Sequence, residues 1–229
     1  MERLINTLKE KWPEFTWEII VITLGILGAL ALDNWNDQRK EDTFKQVTLE
    51  SFKEELIDNI NFLEQRIDWN TTMQSRIDKV LTEKPNEMTD IQLVEFYASV
   101  AGFPPSVPAT PILDDLLQAE AFKNELELLN KLRVLKHVIS DLKTAENFIN
   151  ELFINEISPF SNKNGLTLTL YKSFKNTSFE LTDKQRALVM DTHYLNLAAT
   201  KSLNQDDWIG SQKASKESMQ DILDSFTSP

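Results

Sequence analysis

The residues able to do chemistry are scattered along the chain. His137 and His193 are the two histidines, and each stands in a helical context. Asp141 follows His137 by four residues, the spacing that puts two side chains on one helix face. A lone His–Asp pair lacks the further ligands a metal needs and reads as a solvated surface pair. Asp114–Asp115 and Asp206–Asp207 are neighbours in sequence. Adjacent helical residues point in different directions, so neither pair makes a shared acid–base or metal site. The chain contains no Gly-x-Ser-x-Gly elbow, no Gly-x-x-x-x-Gly-Lys loop and no His-Glu-x-x-His. The expectation is a non-enzymatic protein with no catalytic residue, metal ligand or cofactor site.

One ionisable group stands in an unusual setting. Glu18 interrupts the apolar run FTWEIIVITLGILGALAL at residues 15–32, which is followed at once by DNWNDQRK. At ~1.5 Å per residue such a helix covers roughly 27 Å, close to the ~30 Å of a bilayer's hydrocarbon core. Trp12 and Trp17 before the run and Trp35 after it stand where interfacial aromatic anchors belong. The expected organisation is a tail at 1–14, a transmembrane helix at 15–35 and an extramembrane helical domain at 36–229. Two other readings pass the same test. A signal peptide would use Lys9 and Lys11 as its basic region and Ala29-Leu30-Ala31 as its cleavage site, but Glu2, Glu10 and Glu14 sit among those basic residues. A buried core helix is the other, and the length of the run weighs against it.

Alternate steps of four and three residues from Glu18 pass through Ile22, Gly25, Ala29, Leu32 and Asn36. Gly25 and Ala29 are a small-xxx-small pair that lets two helix backbones approach, and Gly28 widens the same groove. The face formed by Glu18, Ile22, Gly25, Gly28, Ala29 and Asn36 is therefore a candidate helix–helix contact. Two arrangements satisfy the Glu18 carboxylate, a partner across that contact or a position snorkelled to the headgroups. Basic residues flank the run evenly, with Arg3, Lys9 and Lys11 before it and Arg39, Lys40 and Lys45 after it. A cytoplasmic N-terminus with an exported domain is the expected orientation, weakly encoded by charge.

Composition narrows the rest. The chain has 24 Lys+Arg against 36 Asp+Glu, a formal net charge of -12, and that field repels a phosphate backbone. No nucleic-acid partner is expected; membrane lipid is, together with a second copy or another membrane protein. With no Cys there is no disulfide and no thiolate site. Only 5 Gly and 8 Pro in 229 residues argue against a many-stranded β fold and for an all-α one.

From Asn36 the sequence keeps helical spacing to about Leu81. Leu49, Phe52, Leu56, Ile60, Leu63, Ile67, Ile77 and Leu81 form an apolar stripe, with Asn70 and Gln74 in register between them. The membrane helix is thus expected to continue into a long helix that packs, coiled-coil fashion, against a partner helix of this chain or of a neighbouring copy. A break is expected at Glu83-Lys84-Pro85-Asn86. Thr89 and Gln92 have capping-box spacing and open a short helix ending near Gly102. FPPSVPATP reads as extended, and Thr110-Pro111 as an N-cap with proline at the first helical position. ILDDLLQAEAF opens a second helical region, and residues 125–153 make a long amphipathic helix. SPFSNKNG at 158–165 reads as a loop, and TLTLYKSF at 167–174 alternates as a short strand would. Thr182 and Gln185 repeat the capping box and open the last helical region, with a kink expected at Gly210. The fold class is all-α, an extramembrane antiparallel helical bundle.

EIIVITLGILGALALDNWNDQRK, followed by a long charged helix, resembles the N-terminal signature of small bacterial membrane proteins catalogued as domain of unknown function 6090. The matching residues are Glu18, Ile19, Ile20, Gly25, Ile26, Asn34, Trp35 and Asn36. Trp17 stands where glycine is usual, and Asp33 where asparagine is more usual. TPILDDLLQAEAFKNELELLNKLR is a looser match, with Ala119-Glu120-Ala121 in place of a serine-glycine element. The resemblance implies a bacterial inner-membrane helix with an exported, periplasmic helical domain, and it supplies no activity. Two roles fit all of this: a structural or interaction subunit of an oligomer or larger membrane complex, and an envelope sensor or ligand-binding module that relays a signal through its membrane helix.

Overall fold

A computed structural model describes residues 2–83, 88–175 and 180–226. The chain divides into two compact units, residues 1–50 and 51–229. All described elements are helical, as the low glycine and proline content predicts. Helix α1 is Glu2–Thr82, α2 Asp90–Ala101, α3 Pro111–Gln118, α4 Leu126–Leu152, α5 Ser158–Lys163, α6 Leu166–Lys175, α7 Asp183–Val189 and α8 Thr192–Ser225. A single 3₁₀ turn at Glu120–Phe122 follows α3, and a π-helical segment at Phe153–Ile157 joins α4 to α5. The expected break at Lys84-Pro85-Asn86 lies outside the described residues.

In the second unit the apolar stripe of α1 is buried by this chain's own helices. Phe52, Leu56, Leu63 and Ile77 are fully buried, and at the end of the helix Val80 takes the inward position while Leu81 is half-buried. The covering helix is α8, as their hydrogen bonds show. Gln205 Nε2 donates to the Asn70 carbonyl at 2.9 Å, Gln74 Nε2 to Asp206 Oδ1 at 2.6 Å, and Lys216 Nζ to Glu64 Oε1 at 2.5 Å. Residue numbers rise along α1 as they fall along α8, so the two run antiparallel. Helix α8 pairs the same way with α4, where Lys131 meets Asp221 and Ser215 Oγ meets the Val138 carbonyl. Leu132, Leu135 and Leu142 of α4 and Trp208, Met219 and Ile222 of α8 are all buried. The antiparallel bundle is thus built on α8, which pairs with both α1 and α4.

The short helices end and begin where local chemistry directs. Thr89 and Thr182 each accept from the backbone N–H three residues on, and Gln92 and Gln185 reach back to complete both capping boxes. Thr110 makes no cap bond, contrary to expectation, although Pro111 does stand in the first turn of α3. That turn is capped from another helix, since Ile112 N–H donates to Glu55 Oε2 at 3.1 Å. The extended segment 102–110 is tied down by Glu146, whose Oε2 accepts from the Ser106 N–H at 2.6 Å and hydroxyl at 2.8 Å.

Two further expectations are overturned, and a third region is subdivided. SPFSNKNG is mostly helix α5, because Pro159 falls in a first turn, where its missing N–H costs nothing. Phe160 also stacks on Tyr194 at 5.3 Å and holds α5 to the core. The turn contracts to Asn164–Gly165, with Gly165 at φ 73° in the left-handed region glycine favours. TLTLYKSF is helix α6. A strand would turn Leu166, Leu168 and Leu170 to one side, but Leu166 and Thr169 are buried while Leu168 is 57% exposed, the pattern of a helix face. The last helical region is two helices, α7 and α8. Asp191 Oδ1 accepts from the His193 N–H at 2.8 Å and starts α8 afresh, and that helix continues through Gly210.

Candidate functional site

The first unit carries the apolar segment. A window of eighteen residues in α1 is long and apolar enough to cross a membrane, and none of it is buried. Glu18, Ile22, Gly25, Gly28, Ala29 and Asn36 are all exposed, as are Trp12, Trp17 and Trp35. A Cβ built on Gly25 or Gly28 meets nothing within 4 Å. Arg39 places its guanidinium 6.0 Å from the Trp35 ring centre, a cation–π contact suited to the end of such a segment.

The second unit carries a groove between α1, α2 and α6. It encloses about 820 Å³ and its walls include Trp69, Met73, Val94, Ala98, Gly102 and Leu170. The α1 wall comes from Gln65, Asp68, Trp69, Thr72, Met73 and Arg76. These recur at helical spacing on a face beside the buried stripe, which is why the groove has an ordered side. Trp69 is 57% exposed, and its indole N–H points at Met73 Sδ one turn on. Arg76 and Glu95 face each other from α1 and α2 at 3.4 Å. The floor is close-packed, since a Cβ on Gly102 would run into Met73 Cε and stand 2.9 Å from the Ala98 carbonyl oxygen.

Behind that floor lies Lys201 of α8, only 1% exposed. Its Nζ donates to the carbonyls of Ser99 at 2.7 Å, Val100 at 3.0 Å and Gly102 at 2.5 Å. One ammonium thus takes up the free carbonyls at the end of α2, two of them belonging to residues that line the groove. Burial pushes the Lys201 ammonium down to about 7. The carbonyls and the negative end of the α2 dipole work in the opposite direction, favouring the charged form.

The polar residues singled out by spacing are not brought together. His137 and Asp141 form an exposed surface pair at 3.7 Å. His193 packs against the Phe160 ring at 5.5 Å. Asp114 accepts from Lys136 at 2.7 Å, and Asp206 from Gln74. Among the described residues no group of His, Asp and Glu side chains gathers as metal ligands. Spacing missed the groove and Lys201 altogether. An aromatic such as Trp69 standing off the apolar stripe was the available signal for the groove, whereas a lysine in an amphipathic helix looks the same whether buried or solvated.

No family model, curated protein or solved structure matches the chain.

Proposed function

We propose that this chain is a single-pass membrane protein that acts as a structural or interaction subunit, associating with a second copy or another membrane protein through its apolar segment. The observation that carries the reading is that segment, fully exposed and bearing open space at Gly25 and Gly28. An uncovered apolar helix face calls for lipid, and a small-residue groove within it accommodates a second backbone. The stripe from Phe52 onward gives this reading no support, because α8 of the same chain covers it. The match of Glu18, Gly25, Asn34, Trp35 and Asn36 to the family signature supports a bacterial inner membrane with the helical domain in the periplasm.

Native mass measurement of the full chain released in mild detergent tests the association. More than one copy, converted to one by Gly25→Leu with Ala29→Leu, is expected. A monomer at every concentration, with nothing co-purifying, removes the reading. The chain has no cysteine, so Leu203→Cys on the exposed face of α8 reports the orientation through an impermeant maleimide on intact cells. Labelling is expected, and protection until lysis would reverse the orientation.

A second reading, that of a ligand-binding module, is favoured by the groove. Its volume of about 820 Å³ falls in the range of small-molecule sites, and the surface it offers is mostly apolar, with polar side chains such as Asp68, Arg76 and Glu95 among it.

A further inference from the structure

We infer that the groove between α1, α2 and α6 binds a small organic cation with an aromatic or aliphatic body. The inference deepens the ligand-binding reading above and rests on it. The apolar part follows from the lining, in which Met73, Val94 and Ala98 offer surface for a body of drug-like size within about 820 Å³.

The charge follows from how the ionisable groups are engaged. Among the described residues Arg76 is the one basic side chain that lines the groove, and its guanidinium already faces Glu95 at 3.4 Å. Asp68 lines the groove and has no ion-pair partner among the described residues. An anion entering here meets two carboxylates and a guanidinium already paired, while a cation finds the Asp68 carboxylate. Trp69 lines the same groove and is 57% exposed, and indole is the aromatic side chain that holds cations best. The Trp69 side chain is steadied by its indole N–H contact to Met73, which the backbone at Gly102 supports in turn. A preset ring lowers the cost of ordering the site on binding. The chain's charge of -12 adds a long-range field of the sign that draws cations.

The test uses the full chain in lipid nanodiscs, grown with 5-fluorotryptophan so that each indole gives its own ¹⁹F line, with Trp69 assigned by its loss in Trp69→Phe. Three probes of similar size are titrated: benzyltrimethylammonium, benzyl alcohol and benzenesulfonate, each also against empty nanodiscs. The cation is expected to shift the Trp69 line saturably, with the neutral and anionic probes at least about tenfold weaker. Asp68→Asn should lower the cation's affinity about tenfold, and Ala98→Phe, which fills the groove, should abolish the shift while the other ¹⁹F lines report an intact fold. Saturable binding of all three probes with equal affinity overturns the cation class and leaves the ligand-binding reading standing. No saturable shift from any probe overturns both.

Discussion

Lys201 and Gly102 meet where α2 ends, the lysine Nζ donating to the glycine carbonyl at 2.5 Å. The bond joins the central helix of the bundle to the groove floor, because the same ammonium also serves Ser99 and Val100. Hydrogen bonds from a charged donor contribute roughly 1.5–3 kcal/mol, and buried carbonyls left without a donor are costly. Lys201→Met keeps the stem's packing and removes all three donors. It should destabilise the full chain by roughly 2–3 kcal/mol in urea denaturation followed by far-ultraviolet circular dichroism. An unchanged midpoint would show that the lysine is held by its stem alone.

The same residue makes stability depend on pH. Lys201 gives up its proton near 7 in the folded chain, against 10.5 for an ordinary lysine. Below pH 7 both states carry the proton, and the cost of burying the charge is fully present. Between pH 7 and about 10 the unfolded chain holds more protons than the folded one, so stability rises with pH. The wild type should therefore gain on Lys201→Met by up to about 1.4 kcal/mol per pH unit across that window. A difference that stays flat from pH 7 to 10 would mean that the three carbonyls restore the ordinary lysine value.

Gly102 is set by close approach rather than by its backbone angles, which any residue adopts at φ -73° and ψ 136°. Its added Cβ would collide with Met73 Cε and crowd the Ala98 carbonyl oxygen at 2.9 Å. The methionine end can swing away, but the carbonyl cannot. Gly102→Ala should cost about 1–3 kcal/mol, and Met73→Ala should recover part of that loss in the double variant. Strictly additive losses in the two single variants would place the strain at the carbonyl alone.

How much of this was legible followed the range of each interaction. The capping boxes at Thr89 and Thr182 and the inward face of Phe52, Leu56 and Leu63 were readable, because each is decided within a turn or two of helix. The same local logic misread TLTLYKSF, where alternation over eight residues mimicked a strand and the burial of Leu166 and Thr169 against other elements decided for helix. SPFSNKNG was misread because a proline that ends most helices here falls in a first turn. Thr110 looked like a cap, yet the carboxylate that serves α3 comes from Glu55, fifty-seven residues before Ile112. The groove depends on pairing α1 with α2, which no local pattern records.

Asn70 shows where an in-register polar residue leads. It lies within the apolar stripe of α1 and is fully buried, its own carbonyl accepting from Gln205. Neither atom of its side-chain carboxamide has a hydrogen-bond partner among the described residues. Burying such a group without a partner costs roughly 1–3 kcal/mol, while the backbone bond to Gln205 does not need the side chain. Leucine has nearly the same size and branching. Asn70→Leu should therefore raise stability by about 1–3 kcal/mol, seen as a higher urea midpoint with an unchanged slope. A lower midpoint would mean that the carboxamide is satisfied in solution and holds the register between α1 and α8. That second outcome would assign Asn70 the role a single buried asparagine plays in coiled coils, giving up stability to select one alignment of the helices.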